Sequence, residues 1–284
     1  MQLITKQLEN DHNIFLFGDA HHDSPMSSDS GWQTLCDMMH KPYDGCKNNV
    51  GTEGGDDIEA INPDDKRYSE EIMTTALPLV QMNHAVERRQ AIKKLLLYKL
   101  QGNHEQHHWA FGDIMADMCK SLGVPYGTWS TKLTVTDKRG NLMYKLFDTH
   151  GRKQITSTAD DPTRRIANMQ LMLKRHLKFK AGDCAVMIKH HTHKLLVCKP
   201  ESDLYLIDDG EHIKQAYTSW GQSESYIHPD ARWYGNAGSF LKLYGDGISG
   251  YAERGEYDPV EIGFLVLKVR DRKIVALEPV YLNI

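Results

Sequence analysis

Apolar positions along this chain fall into short runs and helical stripes, and polar clusters sit just beyond several of them. His12 to Phe17 is a brief apolar run that reads as a buried strand ending at Gly18-Asp19. Ser30 to His40 fits a helix with Trp32, Leu35 and Met39 on one face and Asp29 or Ser30 as its cap. Asn48 to Gly55 is only weakly apolar. From Tyr68 to Leu100, Leu79, Met82, Val86, Ile92, Leu95 and Leu96 recur at helical spacing, predicting a helix broken near Pro78. Ile114 to Leu122 predicts another helix, closed by Gly123. Thr131–Val135 and Leu142–Phe147 flank Asp137-Lys138-Arg139-Gly140 as a hairpin. Thr163 to Phe179 carries a stripe of Ile166, Met169, Leu173 and Leu177. Ala185–Ile188 reads as a buried strand, and Leu195–Val197, Leu204–Ile207, Ile262–Val269 and Ile274–Leu282 supply more. Strands alternating with helices, followed by a strand-rich final third, predict an α/β fold. No repeat or Pro/Gly/Ser linker divides residues 1–284, which read as one domain.

Five polar clusters punctuate this pattern. They are Gly18-Asp19-Ala20-His21, Gly55-Asp56-Asp57, Gly102-Asn103-His104-Glu105, Thr149-His150-Gly151 and His190-His191-Thr192-His193. Each offers an Asp, Asn or His at a predicted strand end, where α/β proteins bind ligands. Carboxylate, amide and imidazole groups are the donors a hard or borderline divalent cation takes. Asp19 and His21, like His191 and His193, stand two residues apart, so each pair shares a face of an extended chain.

In order and wording the clusters resemble the calcineurin-like metallophosphoesterase superfamily, whose pattern runs Asp-x-His, Gly-Asp, Gly-Asn-His-Asp/Glu, a lone His and Gly-His-x-His. The resemblance spans residues 14 to 193. Asn236 to Phe240 and Ser249 to Arg254 also look like C-terminal segments of phage and bacterial members. The resemblance implies an α/β sandwich of two packed mixed β-sheets flanked by helices. It implies two divalent metal ions, with Mn²⁺ the first expectation and Fe, Zn, Ni or Mg the alternatives. Asp19, His21, Asp56 and His193 would hold one ion; Asp56, Asn103, His150 and His191 would hold the other. The same comparison selects Asp56 over Asp57 as the bridging carboxylate. It makes His104 a catalytic, non-ligand histidine, oriented by Asp19 or another carboxylate, acting beside a metal-bridging hydroxide. His22, His107, His108 and His190 fall outside the implied ligand set, and His190 occupies a position where the family usually has glycine.

The chain is ordinary in bulk composition, with 40% apolar and 25% charged residues and a net charge of −4. That charge argues against broad sequence-independent DNA binding, which needs many phosphate contacts. The distribution is uneven: Pro162 to Lys199 holds nine basic residues and one acid, whereas Glu53 to Glu71 holds eight acids and two bases. Each run reads as a solvated face, with a basic wall steering an anionic substrate as the alternative for the first. Five cysteines at 36, 46, 119, 184 and 198 without a Cys-x-x-Cys spacing read as reduced thiols. With no apolar run of membrane-spanning length and no signal region in residues 1–10, the expected setting is cytoplasmic, without a membrane partner.

The leading functional reading is a phosphodiesterase acting on a nucleotide or nucleic acid, including a nuclease. A phosphomonoesterase is the runner-up and a non-catalytic scaffold of the same fold the third reading. Residues expected to shape the substrate site are Asn62 to Tyr68, the Trp109 neighbourhood and Arg152-Lys153.

Overall fold

The structure, a computed structural model, describes residues 1–61, 63–65, 67–68, 75–218, 222 and 225–283. Two mixed sheets face each other, with helices on their outer sides. The first sheet runs β1 (Gln2–Gln7), β5 (Ser130–Thr136), β6 (Leu142–Thr149), β7 (Val186–Lys189), β11 (Trp233–Ala237), β8 (Leu195–Cys198). The second runs β13 (Lys273–Tyr281), β12 (Gly263–Arg270), β2 (His12–Phe17), β3 (Asn49–Glu53), β4 (Leu96–Lys99). Within the second sheet β2, β3 and β4 are parallel; within the first, β6, β7 and β11 are parallel. This is the α/β sandwich expected above.

Period-two alternation decides which layer each side chain enters. Ile14 and Leu16 of β2, Leu265, Leu267 and Val269 of β12, and Val186 and Ile188 of β7 meet in the core between the sheets. Their neighbours Phe15, Phe17, Phe264 and Val266 face outward onto helix α1 (Asp29–His40), against Trp32, Leu35, Cys36 and Met39. On the opposite face Phe147, Met187 and Tyr234 meet Leu173 and Leu177 of α5 (Pro162–Leu177). A smaller cluster joins Ala85 of α2 (Pro78–Arg89) to Ile114, Met115 and Met118 of α4 (Ile114–Leu122). The strands β9 (Leu204–Asp208) and β10 (Ile213–Tyr217) form a separate exposed hairpin. All five cysteines are free and buried. Among the described residues no helix is long and apolar enough to cross a membrane.

Several elements depart from the sequence reading. The helix expected over 68–100 begins at Pro78, in the first turn, where the missing N–H costs nothing. It ends at Arg89, and Leu96 belongs to strand β4 instead; residues 69–74 lie outside the described residues. Ser28, not Asp29 or Ser30, caps α1 by accepting from Gly31 N. Ile166, expected on the buried stripe of α5, is 48% exposed. The weakly apolar segment at 49–53 is a true strand, and its end is held by charge.

Part of the acidic run read as a solvated face is buried. Glu53, Asp57, Arg89 and Lys99 are all fully buried and mutually paired. Arg89 Nε donates to both Glu53 oxygens at 2.8 and 3.0 Å, and Lys99 bonds the same carboxylate. Asp57 faces Lys99 at 2.5 Å and Arg89 at 3.2 Å without a directed hydrogen bond. Burial pushes Glu53 up, but Arg89 and Lys99 override it and hold the carboxyl at about 2. The quartet ties the end of α2 to the ends of β3 and β4.

Removing one member of a buried network strands the others, at about 3–5 kcal/mol. Arg89→Ala should therefore cost about that much in urea unfolding. Lys138→Ala, which removes the surface pair with Glu9, should leave the midpoint where it is. Similar losses in the two variants would contradict the ordering.

Candidate metal centre

Five strand ends deliver the polar clusters to one place. Asp19 and His21 follow β2, Asp56 follows β3, Asn103 and His104 open α3 (Asn103–Gln106) after β4, His150 follows β6, and His191 and His193 follow β7. Main-chain bonds tie the loops together: Asp19 N donates to Gly55 O at 2.8 Å and His21 N to Asp56 O at 3.0 Å. Phe240 N and Ser239 Oγ both donate to the Asp19 carbonyl, at 3.1 and 3.0 Å.

Asp19, His21, Asp56, His191 and His193 all hold left-handed backbone, with φ of 50°, 48°, 53°, 75° and 53°. Such conformations cost about 1–3 kcal/mol each for residues with a side chain and persist only where surroundings enforce them. The cross-loop bonds are that enforcement.

The side chains form two groups. Asp19 Oδ1 lies 3.4 Å from His193 Nε2, and His193 Nε2 is 3.2 Å from His21 Nε2; the ligand-type atoms of all three lie within 4.8 Å of one another. Asp56, His150 and His191 form the second group, with His150 Nε2 at 3.3 Å from Asp56 Oδ2 and at 3.0 Å from Asn103 Oδ1. All seven expected ligand residues are thus brought together.

Supporting contacts fix which atoms face inward. His21 Nδ1 meets Glu59 Oε2 at 2.8 Å, so a neutral His21 presents a lone pair at Nε2. His150 Nδ1 donates to Gly54 O at 2.7 Å. His104 Nδ1 bonds the Glu59 carbonyl, and its backbone N donates to Asp56 Oδ1 at 2.9 Å. The carboxylate expected to orient His104 is therefore a backbone carbonyl. Glu105 ties the second cluster's backbone to the third's, accepting from Asp57 N at 2.7 Å, Asp56 N at 3.3 Å and Gly102 N at 3.1 Å. A side chain at position 102 would have its Cβ 2.0 Å from Asp56 Oδ1, so the approach of the second and third clusters requires glycine there.

The histidines outside the ligand set point elsewhere. His22 packs edge-on against Trp32, His108 Nε2 meets Ala60 O at 2.8 Å, and His107 is exposed. His190 Nε2 lies 3.0 Å from Asp148 Oδ1. Its ring fills space that a Cβ on Gly54 would enter at 2.1 Å. The large residue ahead of His191 is accommodated by a glycine across from it.

The donor set fits cations. Asp19 Oδ1 is buried and accepts no directed hydrogen bond, an arrangement that costs free energy unless a positive charge meets it. Burial raises Asp19, yet His193, its Nε2 3.4 Å from Asp19 Oδ1, and the charge of His150 hold it well below the carboxylate range. Burial also raises Asp56, but His150, His104 and His21 hold it well below. Burial lowers His21 despite Glu59, and brings His191 down to about 4, leaving both neutral. Burial opposes charge on His150 as well, but Asp56 and Asp19 raise it to about 9.

His21, Asp56, Asn103, His191 and His193 line an open cleft of about 880 Å³, with His104 beside them. Of the substrate-shaping residues expected from sequence, Arg67 lines it and is bonded to Asp65 at 2.7 Å; Asn62 and Lys66 lie outside the described residues. In place of Trp109 and Arg152-Lys153, the walls come from Gln154 to Thr156 and from a C-terminal segment reaching Arg254 to Asp258. Arg152 instead lies over the Trp129 ring at 5.1 Å. Of the basic run at 162–199, Lys194 lines the cleft, while Lys174 is paired with Glu201 and Asp230. Glu59 escaped the sequence reading, although a lone charge inside Ile58-Glu59-Ala60-Ile61 signals a buried partner.

No protein-family model matches the chain, and no curated protein matches it. A solved structure, a conserved uncharacterized protein from Streptococcus pneumoniae TIGR4 described as a predicted phosphoesterase, is similar at 12% identity. The match covers 96% of this chain and 98% of that one, with a TM-score of 0.31.

With His150 raised to about 9 from its ordinary 6.5, the metal-free chain carries that proton at neutral pH, whereas a metal ligand must be neutral. Mn²⁺ binding at pH 7.5 should therefore release close to one proton, and affinity should rise about tenfold per pH unit up to about 9, then level off. Calorimetric titration in two buffers of different ionisation enthalpy counts the proton. Binding without proton release, or an affinity flat between pH 6.5 and 9, would show that His150 is not displaced from its proton by the ion.

Proposed function

We propose that this chain is a metal-dependent phosphoester hydrolase with a binuclear centre, acting on phosphodiesters of the nucleotide or nucleic-acid kind. The carrying observation is the pair of adjoining Asp/His groups, one with a buried carboxylate oxygen lacking a donor, at the floor of an open cleft. Asp19, His21 and His193 would hold one ion, and Asn103, His150 and His191 the other, with Asp56 between them. Bound divalent ions would supply acidification of water and neutralisation of phosphoryl charge. Mn²⁺ is the first candidate, because mixed nitrogen and oxygen sites take what is available.

The chain's own groups supply the rest. The left-handed loops hold the donors in place before a substrate arrives, so little reorganisation accompanies binding. His104, anchored at Nδ1, leaves Nε2 for the cleft. Burial lowers its proton affinity, but Asp56 and Glu59 outweigh this and raise it, favouring an imidazolium able to protonate a leaving oxygen. A cleft of about 880 Å³ leaves room on both sides of a phosphorus atom, which supports a diester over a bare phosphate ester.

The test is a panel of bis-p-nitrophenyl phosphate, p-nitrophenyl phosphate, cyclic nucleotides and single- and double-stranded DNA, with Mn²⁺ content measured alongside. Two equivalents of metal and turnover of diesters are expected. Asp56→Asn should strip metal from both positions, while Asp57→Asn, which alters the buried ion quartet, should be milder. Metal content well below one equivalent in the wild type, or loss in the Asp57 variant alone, would sink the assignment.

His104→Gln should keep both metals and lower kcat by about 10²–10⁴-fold on an alkyl or nucleoside ester, which needs a proton as its bond breaks. A nitrophenyl ester, whose leaving group departs unprotonated, should suffer less. An equal loss on both would mean that His104 stabilises phosphoryl charge without donating a proton.

A further inference from the structure

The segment Ser249 to Arg254 has no part in the metal donor set, yet the fold brings it to the cleft. Its course is fixed by contacts at both ends. Ser239 and Phe240 are bonded to the Asp19 carbonyl, Lys242 N donates to Met26 O at 3.0 Å, and Met26 packs with Leu241, Leu243 and Ile248. The chain then forms the short helix α6 (Tyr251–Arg254), whose Ala252 is buried. Tyr257 N returns to Ala252 O at 3.0 Å, and Glu256 adopts φ 53° to make the turn. Arg254 emerges from this turn at the cleft wall.

Lys194, one residue beyond His193, lines the same cleft. Its carbonyl accepts from Gly238 N at 3.1 Å and from Asn236 Nδ2 at 2.5 Å, which pins its backbone. Neither Lys194 nor Arg254 has a side-chain hydrogen bond or ion pair among the described residues. Other cations around the site are engaged: Arg67 with Asp65, Arg152 with Gln106 and Lys189 with the His190 carbonyl. Two cations held at the walls of a cleft but left unpaired mark a place for anions beyond the one at the metals.

We propose that Arg254 and Lys194 form a second anion subsite for a phosphate neighbouring the scissile one, so that the preferred substrate carries two phosphate groups, as successive units of a polynucleotide strand do. This rests on the phosphoester-hydrolase reading of the metal centre but concerns different residues. The cleft of about 880 Å³ is large enough for a nucleotide with a second phosphate. Glu256 and Asp258 also line it, so the subsite grips at a point and is not a uniformly basic groove. That agrees with a net charge of −4. Arg254 suits the task because a guanidinium binds phosphate oxygens in a fork.

The test compares thymidine 5′-(p-nitrophenyl phosphate) with the same ester carrying a 3′-phosphate. The wild type should prefer the second. In Arg254→Ala its KM should rise about tenfold to a hundredfold more than the KM of the first, the effect of one charge-assisted contact. Lys194→Ala should act in the same direction, and Arg254→Lys should recover part of the preference. Equal KM changes on both esters would overturn the subsite. If the wild type cleaves neither ester, calorimetric binding to the Mn²⁺-loaded protein decides. Tighter binding of thymidine 3′,5′-bisphosphate by the wild type than by Arg254→Ala keeps the subsite while the hydrolase reading falls, and equal binding removes the subsite. Thymidine 5′-diphosphate in the same titration tells whether the second phosphate sits across the sugar or in a pyrophosphate, and loss of affinity for neither compound overturns the proposal.

Discussion

The buried quartet of Glu53, Asp57, Arg89 and Lys99 is the constraint on which the rest of the site depends. Two positive and two negative charges without solvent are tolerable only together, because any one left alone would face a desolvation cost without return. Their mutual requirement fixes the end of β3 against β4 and against the end of α2. Asp56 lies between two members of that stretch, flanked by Gly55 and Asp57. Its placement at the junction of the two side-chain groups follows from charges that never touch the cleft. Glu105 completes the hold from the other side, gathering backbone N–H groups of residues 56, 57 and 102.

Left-handed backbone at five ligand-type residues carries the same logic into the main chain. A strand that continued past Phe17 would send Asp19 and His21 along the sheet. The reversed φ turns the chain back so that both project toward His193. Each such residue is disfavoured by itself, and the loops satisfy one another by bonding across cluster boundaries. The centre is therefore a cooperative feature of several strand ends, shaped by the protein's own main-chain bonds.

Much of this was legible in the sequence where local chemistry and global position agree. The apolar run before Asp19, the helix from Ile114 to Gly123 and the run before His190 announced their elements, because burial on both faces or one stripe leaves a clear pattern. The polar clusters announced the site, because donor residues cluster at strand ends for few other reasons. What failed did so where tertiary partners override local signals. Asn49 to Glu53 is a strand whose last residue is a buried glutamate, which no hydropathy pattern reveals. Leu95 and Leu96 continue a helical spacing by accident, since Leu96 pairs with Gly51 in the sheet. The acidic run looked like a solvated face because its partners, Arg89 and Lys99, lie some way off in sequence. The strands β1, β10 and β11 and the cleft wall near Arg254 carry no marked periodicity, and only the assembled fold gives them their places.

The contact between His190 and Gly54 has a meaning for how such a chain can change. The ring lies where any side chain at 54 would begin, so the two positions share one parcel of space. Neither can be exchanged freely: a residue with a Cβ at 54 demands a small one at 190, and a bulky 190 demands glycine at 54. Two sites far apart in sequence are thereby bound into a single heritable choice. A chain drifting from one solution to the other would pass through either a steric clash or a hollow beside Asp148. Related chains should fall into two sets, one with bulk in the fifth cluster and glycine in the second, the other with the reverse.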